Sequence, residues 1–241
     1  ERKTEAVSRW EAAVEAGDMT AAKKLGPQTA EYTREMVAET KRLFELLGVT
    51  WVEAPMEAEG AAAVRCARGE VDAVASQDWD TLLYGAPVMV RNLTSHGTRR
   101  FGRVLQGERI VLADTLAKHG ITHEQLVDLG IMIGTDFHPG IRGIGPKTGL
   151  KLIREHGTLE AVAEARDFEI PERLDEIRSL FLEHPTTPDA LPHSTHAVEE
   201  DLRAFLQEER GFSEGRVQRA LDRLTGVARL RSSSQPTLFD F

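Results

Sequence analysis

The chain has 241 residues, of which 41% are hydrophobic and 29% charged, a composition that is typical of a globular protein and excludes a disordered or fibrous one. No apolar run approaches the ~20 residues of a membrane-spanning helix and no signal-peptide pattern opens the chain, so we expect an intracellular, cytoplasmic protein that is not secreted. The net charge of −9 supplies no overall positive field, so nucleic-acid binding must depend on local basic patches. The single cysteine, Cys66, is expected to be a small buried apolar residue.

The N-terminal part of the chain is predicted to be helical. Residues 1–30 have few large apolar side chains and are predicted to form a helical hairpin that stops at Gly26 and Pro27. A more amphipathic helix is predicted from about Thr33 to Leu47, with Gly48 at its end.

Strand-like and helix-like segments then alternate. Strands are predicted in VTWVEA (49–54), VDAVAS (71–76) and PVMVRNL (87–93), helices in PMEAEGAAAVRCARG (55–69) and DTLLYG (80–85), an edge hairpin in TSHGTRRFGRVLQG, and a helix ending at Gly120 in IVLADTLAKHG. This alternation indicates an α/β protein whose parallel sheet is flanked by helices.

The second half is predicted to be mainly helical. Thr122 and Gln125 form a capping box for a helix that extends to about Ile133, and Pro146 occupies the first position of a helix that extends to about Glu155. A Pro-, Thr- and His-rich connector and two amphipathic helices are expected at 184–196, 197–209 and 213–229.

Acidic residues occur at the ends of three predicted elements. Glu57 and Glu59 lie in the first turn of a helix, where they could simply complement the helix dipole, and they point about 200° apart at ~100° per residue. Asp78 and Asp80 follow an apolar strand, at the end where open α/β sheets bind ligands. An N-cap role for Asp80 would leave Asp78 unexplained.

A fifth acid, Asp136, follows the apolar helix end LGIMIGTDF and taken alone would be an ordinary turn residue. Together the five acids favour a site for hard divalent cations, which prefer oxygen ligands. Two such ions about 3.5 to 4 Å apart would stabilise the attacking and leaving oxygens in phosphodiester hydrolysis.

A glycine-rich segment, GIRGIGPKTGLKLI, is predicted to bind phosphate. Gly143 and Gly145 form a tight loop before the helix that starts at Pro146, and Lys147 and Lys151 share one face of that helix. A dinucleotide fingerprint and a Walker loop are both excluded by the spacing.

Basic residues are concentrated in the same segment. Residues 137–154 contain Arg142, Lys147, Lys151 and Arg154 and no acid. The simpler interpretation is a solvated basic helix face. Sequence-independent binding of the DNA backbone fits better, because exposed glycine amides and basic side chains contact phosphates and not bases.

The segments EAPMEAEGAAA, ASQDWDTLLYG, LGIMIGTDF and GIRGIGPKTGLKLI, in this order, resemble the flap endonuclease family, especially its archaeal members. The resemblance implies a PIN-like 5′ nuclease fold with a helical arch and a helix-hairpin-helix. It also implies a monomeric Mg²⁺-dependent enzyme, with two ions per site and Mn²⁺ as a substitute, which cleaves 5′ flaps on branched DNA and acts as a 5′–3′ exonuclease in replication and repair.

The same resemblance implies roles for individual residues. Glu57 and Glu59 match the acids beside the first metal, and Asp78, Asp80 and Asp136 match those beside the second, so all five are expected to be catalytic metal ligands. The expected DNA contacts are Arg142, Gly143, Gly145, Lys147 and Lys151 in the hairpin, and Arg2, Lys3 and Arg9 in the arch.

The resemblance also implies a domain layout. Members of the family normally begin with a further block that supplies the first strands, two more metal-binding aspartates and the start of the arch. Without that block, the alternative is a catalytically incomplete module that binds DNA and the sliding clamp. The expected parts are a distal arch (1–32), the nuclease α/β domain (33–183) with its helix-hairpin-helix (about 122–156), a connector with C-terminal helices (184–230) and a tail (231–241).

The tail QPTLFDF fits the pattern of sliding-clamp-binding peptides, in which Gln235, Leu238 and Phe241 occupy the glutamine, aliphatic and aromatic positions. A frayed C-terminus is the simpler interpretation of such a segment. Within a chain of this resemblance, the pattern predicts a sliding clamp as partner.

Overall fold

The computed structural model describes residues 2–29, 33–95, 97–100, 102–185, 191 and 197–232. Backbone contacts divide the chain into two compact units, one made of residues 1–51 and 192–241 and the other of residues 52–191. The domain boundaries expected from the sequence stay predictions.

Helices make up most of the described chain. In order they are α1 (Arg2–Glu15), α2 (Met19–Thr29), α3 (Arg34–Leu46), α4 (Ala58–Ala67), α5 (Asp80–Leu83), α6 (Leu112–His119), α7 (His123–Ile133), α8 (Pro146–His156), α9 (Leu159–Arg166), α10 (Leu174–Leu182), α11 (Glu199–Arg203) and α12 (Glu214–Ser232). The strands are β1 (Val74–Ala75), β2 (Val88–Arg91), β3 (Arg99–Arg100), β4 (Arg103–Val104) and β5 (Glu108–Val111).

In the first unit, α1 and α2 form the predicted helical hairpin, with Gly17 at a φ of +72° in the bend. The predicted stop at Gly26 and Pro27 is wrong, because α2 continues to Thr29. Pro27 has no backbone N–H and therefore removes one hydrogen bond from the last turn of α2, and the turn forms without that bond.

The remaining helices of this unit pack around α3. Thr33 caps α3 by accepting a hydrogen bond from the Met36 amide at 3.1 Å, which confirms the predicted start. Leucines of α3 pack against Leu202 of α11 and Val217 of α12. A π-helical segment, Ala204–Glu209, connects these two helices and was not predicted.

The second unit contains the sheet. β1 pairs in parallel with β2, and β2 pairs antiparallel with β5, while β3 and β4 form the predicted edge hairpin. The α/β prediction is confirmed, but Ile110 and Val111, where a helix was expected to begin, belong to the strand β5. Ile110 lies opposite Met89 in the register, and this cross-strand pairing overrides the local helical pattern.

The strand predicted at 49–54 is wrong. Its two valines, Val49 and Val52, are 47% and 43% exposed, and the segment has no regular structure. A strand is stable only when a neighbour satisfies its backbone groups, and no strand in the described part of the chain pairs with this segment.

The core of the second unit lies among α4, α7, α8, α9 and α10. It includes Ile131, Ile153 and Phe181, and the predicted burial of Cys66 is confirmed. The helices α9 and α10 were not assigned from the sequence, since they span only eight and nine residues.

No helix in the described part of the chain is long and apolar enough to cross a membrane.

Candidate active site

The start of α4 presents the first two acids. Glu57 is the N-cap residue, but its side chain makes no capping hydrogen bond, and Glu59 follows in the first turn. The hydroxyl of Ser76, at the end of β1, donates a hydrogen bond of 3.5 Å to Glu59. The first turn of α4 therefore faces the end of the parallel strand pair.

The loop after β1 holds the next two acids. The Asp78 amide donates to the Ser76 hydroxyl at 3.1 Å, and the Asp78 carboxylate accepts from the Asp80 amide at 3.0 Å. Trp79, and not Asp80, is the N-cap residue of α5. The carboxylate of Asp78 thus caps the helix, while that of Asp80 is left available for another role.

Asp136 lies in a tight turn after α7. The backbone groups of Thr135 and His138 bond to each other on either side of it, at 2.8 and 3.2 Å. The turn leaves the Asp136 side chain exposed. Local sequence predicted this turn, but not its position relative to the other acids.

The charges of the five acids act together at Asp80. The pKa of Asp80 is raised from 3.8 to about 6. Burial is the largest cause, and the negative charges of the other four acids contribute the rest, in the decreasing order Asp78, Asp136, Glu59 and Glu57. Like charges disfavour ionisation only at short range. Residues from three separate segments therefore surround one half-buried carboxyl group.

A buried tyrosine lies behind these acids. Burial raises the pKa of Tyr84 above its ordinary value, and the charges of Glu57 and Asp80 add to this effect. Neither Tyr84 nor Ser76 was predicted as a site residue from the sequence. The available signal was their position, since Ser76 directly follows β1 and Tyr84 lies one helical turn after Asp80.

The donor chemistry of the site fits a hard divalent cation, because all five groups are carboxylates and the other four act electrostatically on Asp80. As the side chains stand, no three His, Cys, Asp or Glu residues in the described part of the chain are arranged to hold a metal ion. The effect of four carboxylates on the pKa of Asp80 indicates that they lie near it. Coordination of a metal ion requires shorter distances between their oxygen atoms. The residues fit a metal by chemistry and by location.

The glycine-rich segment forms a hairpin between α7 and α8. Gly140 has a φ of +84°, and a Cβ there would lie 2.4 Å from the carbonyl oxygen of Ile133, so only glycine fits. Gly143 has a φ of +85° and Gly145 is the N-cap of α8, as the predicted tight loop requires. Pro146 is the first residue of α8, which confirms the predicted start.

The basic side chains of this hairpin differ in their contacts. Arg142 and Lys147 are exposed, and Lys151 lies 3.6 Å from Glu155 one turn further along α8. Arg154 donates to the carbonyl of His119 at 2.5 Å. Arg154 therefore anchors α8 to the end of α6, and the exposed basic surface is smaller than the composition indicated.

The other predicted site residues lie on the first unit or outside the described residues. Arg2, Lys3 and Arg9 lie on α1, and of their side chains the structure describes only that of Arg9, which is exposed. The predicted clamp-binding residues Gln235, Leu238 and Phe241 lie outside the described residues.

Comparison with known families defines the class of protein. The XPG I-region family model matches residues 48–136, the stretch that carries all five acids. The structure of flap endonuclease-1 from Methanococcus jannaschii superposes with a TM-score of 0.71 at 34% identity, covering 91% of this chain and 66% of that one. Fold and sequence together place the chain in the class of flap endonucleases and their structural relatives, which share a PIN-like α/β fold.

Curated relatives narrow the class to a family. Flap endonuclease 1 from Ignicoccus hospitalis is 39% identical over 99% of this chain and 69% of its own length, and that from Methanothrix thermoacetophila is 44% identical over 87% and 63%. The chain belongs to the flap endonuclease 1 family. It spans about two thirds of the length of these relatives.

A more distant structure contains both a nucleic acid and an ion. The Holliday junction-resolving enzyme GEN1, in complex with product DNA and Mg²⁺, is 26% identical to this chain with a TM-score of 0.54, covering 74% of this chain and 51% of that one.

Proposed function

We propose that the chain hydrolyses phosphodiester bonds at 5′ flaps of branched DNA, and from 5′ ends as an exonuclease, in DNA replication and repair. The observation that carries the proposal is the coupling of Asp80 to four other carboxylates from three chain segments. Such a cluster of negative charge is stable next to phosphate only when cations neutralise it.

The proposed cofactor is Mg²⁺, two ions per site, with Mn²⁺ as a substitute. When bound, the ions would stabilise the charge on the attacking and leaving oxygens. Glu57 and Glu59 are assigned to one ion, and Asp78, Asp80 and Asp136 to the other. Carboxylates are the ligands that both cations prefer, and GEN1 is a structural relative whose complex contains Mg²⁺.

The chain's own hydrogen bonds orient these carboxylates. The Ser76 hydroxyl bonds to Glu59 and accepts from the Asp78 amide, so it connects α4 to the loop after β1. Asp78 in turn accepts from the Asp80 amide. Side chains held in this way lose less entropy when a ligand binds.

The proposed duplex-binding element is the hairpin of α7 and α8. Arg142, Lys147 and Lys151 supply positive charge, and Gly143 and Gly145 allow close approach of the backbone to a phosphate. Arg2 and Lys3 of α1 are proposed contacts for the 5′ strand. The chain is proposed to act as a monomer, with its tail bound to a sliding clamp.

A second candidate function is a DNA- and clamp-binding module without catalytic activity. One observation favours it: as the side chains stand, no three His, Cys, Asp or Glu residues in the described part of the chain are arranged to hold a metal ion. The two candidates differ in cleavage but not in DNA binding.

The test uses the chain itself with a 5′-labelled flap substrate and Mg²⁺. We expect cleavage by the wild type and loss of cleavage in Asp78→Ala and Asp136→Ala, by about 100-fold or more, which exceeds the ~10- to 100-fold effect of residues that only orient a ligand. Flap binding, measured by fluorescence anisotropy, should be retained, since removing a carboxylate reduces repulsion of the phosphates.

The matched control is Asp72→Ala, which removes an exposed acid of the same unit and should cleave like the wild type. Full activity in Asp78→Ala or Asp136→Ala would refute the assigned site. Salt-dependent flap binding without any cleavage by the wild-type chain would favour the non-catalytic module.

A further inference from the structure

The end of α10 carries an aromatic side chain that is buried against the start of α4. His184 follows the helix end and is 6% exposed. A Cβ at Gly60 would lie 2.4 Å from Cδ2 of the His184 ring, so the ring occupies the space that any other residue at position 60 would need. Gly60 is the residue after Glu59, and the ring therefore packs directly beneath the first turn of α4.

The same ring contacts the residue that closes α5. The His184 and Tyr84 rings are 5.0 Å apart and nearly perpendicular, at 81°, which is the favoured edge-to-face geometry. The Tyr84 amide donates to the Asp80 carbonyl at 2.9 Å. The second acid-bearing segment therefore rests on the same ring.

The stack continues to the third segment. Phe181 lies 4.9 Å from Tyr84 and 5.5 Å from Phe137, measured between ring centroids. Phe137 is the residue after Asp136 in the tight turn. Four aromatic rings, from His184 through Tyr84 and Phe181 to Phe137, thus touch every segment that carries an acid.

The choice of histidine is costly for packing alone. Both ring nitrogens of His184 are buried without a hydrogen bond of good geometry in the described part of the chain, although a backbone group of Pro185 lies near the ring. Burying unpaired polar atoms destabilises a fold, so a purely apolar ring would pack at lower cost.

We propose that this aromatic stack, anchored at the end of α10 by His184 and Phe181, positions the three acid-bearing segments relative to one another. The proposal rests on the function proposed above. His184 is a positioning residue: it holds the backbone that carries Glu57 and Glu59 and does not touch the substrate. Through this stack, α10 helps to set the relative positions of the carboxylates, although it bears none of the five acids.

The test measures the three segments directly in the full chain. The reporters are the amides of Ala61, Tyr84 and Thr135, each hydrogen-bonded within one acid-bearing segment. In His184→Ala we expect hydrogen exchange at all three amides to rise about 10-fold, while the amide of Val162 in α9 keeps its rate. Unchanged exchange at the three amides in folded protein would overturn the proposal.

Divalent-ion affinity is the second readout, with Mn²⁺ followed by its electron paramagnetic resonance signal. His184→Ala and Gly60→Ala should each weaken Mn²⁺ binding about 10-fold, as loss of a residue that orients ligands does. His184→Phe keeps the ring and should stay within about 2-fold of wild type. The matched control is Leu182→Ala, an exposed residue at the same helix end.

A double variant separates the specific contact from general damage. With the ring removed, the new methyl group of Gly60→Ala has room, so the pair of substitutions should cost no more than His184→Ala alone. Additive losses would overturn the proposal. Where His184→Ala does not fold, folded Gly60→Ala with wild-type exchange and Mn²⁺ affinity would also overturn it.

The outcomes distinguish this inference from the function on which it rests. Faster exchange in His184→Ala, together with a wild-type chain that binds no Mn²⁺, would support the stack and refute the metal site. Wild-type Mn²⁺ binding that His184→Ala leaves intact would support the metal site and refute the stack.

Discussion

Arg178 donates two hydrogen bonds to Asp128, from Nε to Oδ1 at 2.7 Å and from Nη2 to Oδ2 at 2.8 Å. Asp128 is buried in α7 and also accepts from the Leu159 amide at 2.9 Å, so it caps the start of α9. Arg178 extends the network to Glu160 with two more hydrogen bonds, at 2.6 and 2.7 Å. One guanidinium therefore connects α7, α9 and α10.

The first prediction concerns the stability that this network contributes. Arg178→Ala should lower the free energy of unfolding by about 3–5 kcal/mol, because it leaves the Asp128 carboxylate buried without a partner. Urea denaturation followed by circular dichroism measures the change. Arg173→Ala removes an exposed ion pair with Glu176 on the same helix and should have little effect. Equal stability of the two variants would contradict the role of the network.

The second prediction concerns pH. Hydrogen bonds from Arg178 lower the pKa of Glu160 from 4.5 to about 2, so the folded chain favours the ionised carboxylate. The resulting stability is fully present above pH 4.5 and is lost as the pH falls through 2. Because the Glu160 side chain is 43% exposed, solvent screening keeps the amplitude small.

Glu160→Gln isolates this contribution. The difference in unfolding free energy between wild type and variant should shrink as the pH falls from 4.5 to 2, measured by denaturation at several pH values. A difference that stays constant over this interval would show that ionisation of Glu160 does not stabilise the fold.

The third prediction concerns the exposed lysine at the start of α8. Lys147→Ala should weaken binding to all duplex sequences alike and reduce the slope of log K against log salt by about one unit, because one phosphate contact is lost. Anisotropy titrations at several salt concentrations measure the slope. Lys118→Ala, an exposed lysine on α6, is the matched control. A sequence-dependent loss would indicate contacts to bases.

The fourth prediction concerns the C-terminal tail. A peptide covering residues 231–241 should bind the sliding clamp of the same organism, through Leu238 and Phe241 in an apolar pocket and Gln235 in a polar one. Binding should be weak because one aromatic of the usual pair is missing, and Phe241→Ala should remove most of it. Equal binding of the two peptides in titration calorimetry, or none at about millimolar concentration, would refute the prediction.

Features that depend on a few neighbouring residues could be predicted from the sequence. The Thr33 cap, the capping box of Thr122 and Gln125 and the proline start at Pro146 each involve groups within one helical turn. The sequence also predicted that the five acids lie at the ends of helices and strands, because the end of an element is marked by neighbouring residues. Each such signal is complete within a few residues and needs no distant partner.

Tertiary structure decided the features whose partners are distant in sequence. Residues 108–111 form a strand because they pair with β2. Residues 49–54 do not form the predicted strand, because no strand in the described part of the chain pairs with them. Arg178 meets Asp128 across 50 positions, and the His184 ring meets Gly60 across a longer separation. Backbone pairing, burial and like-charge repulsion are set by which segments the fold brings together, and a local pattern of residue types does not contain that information.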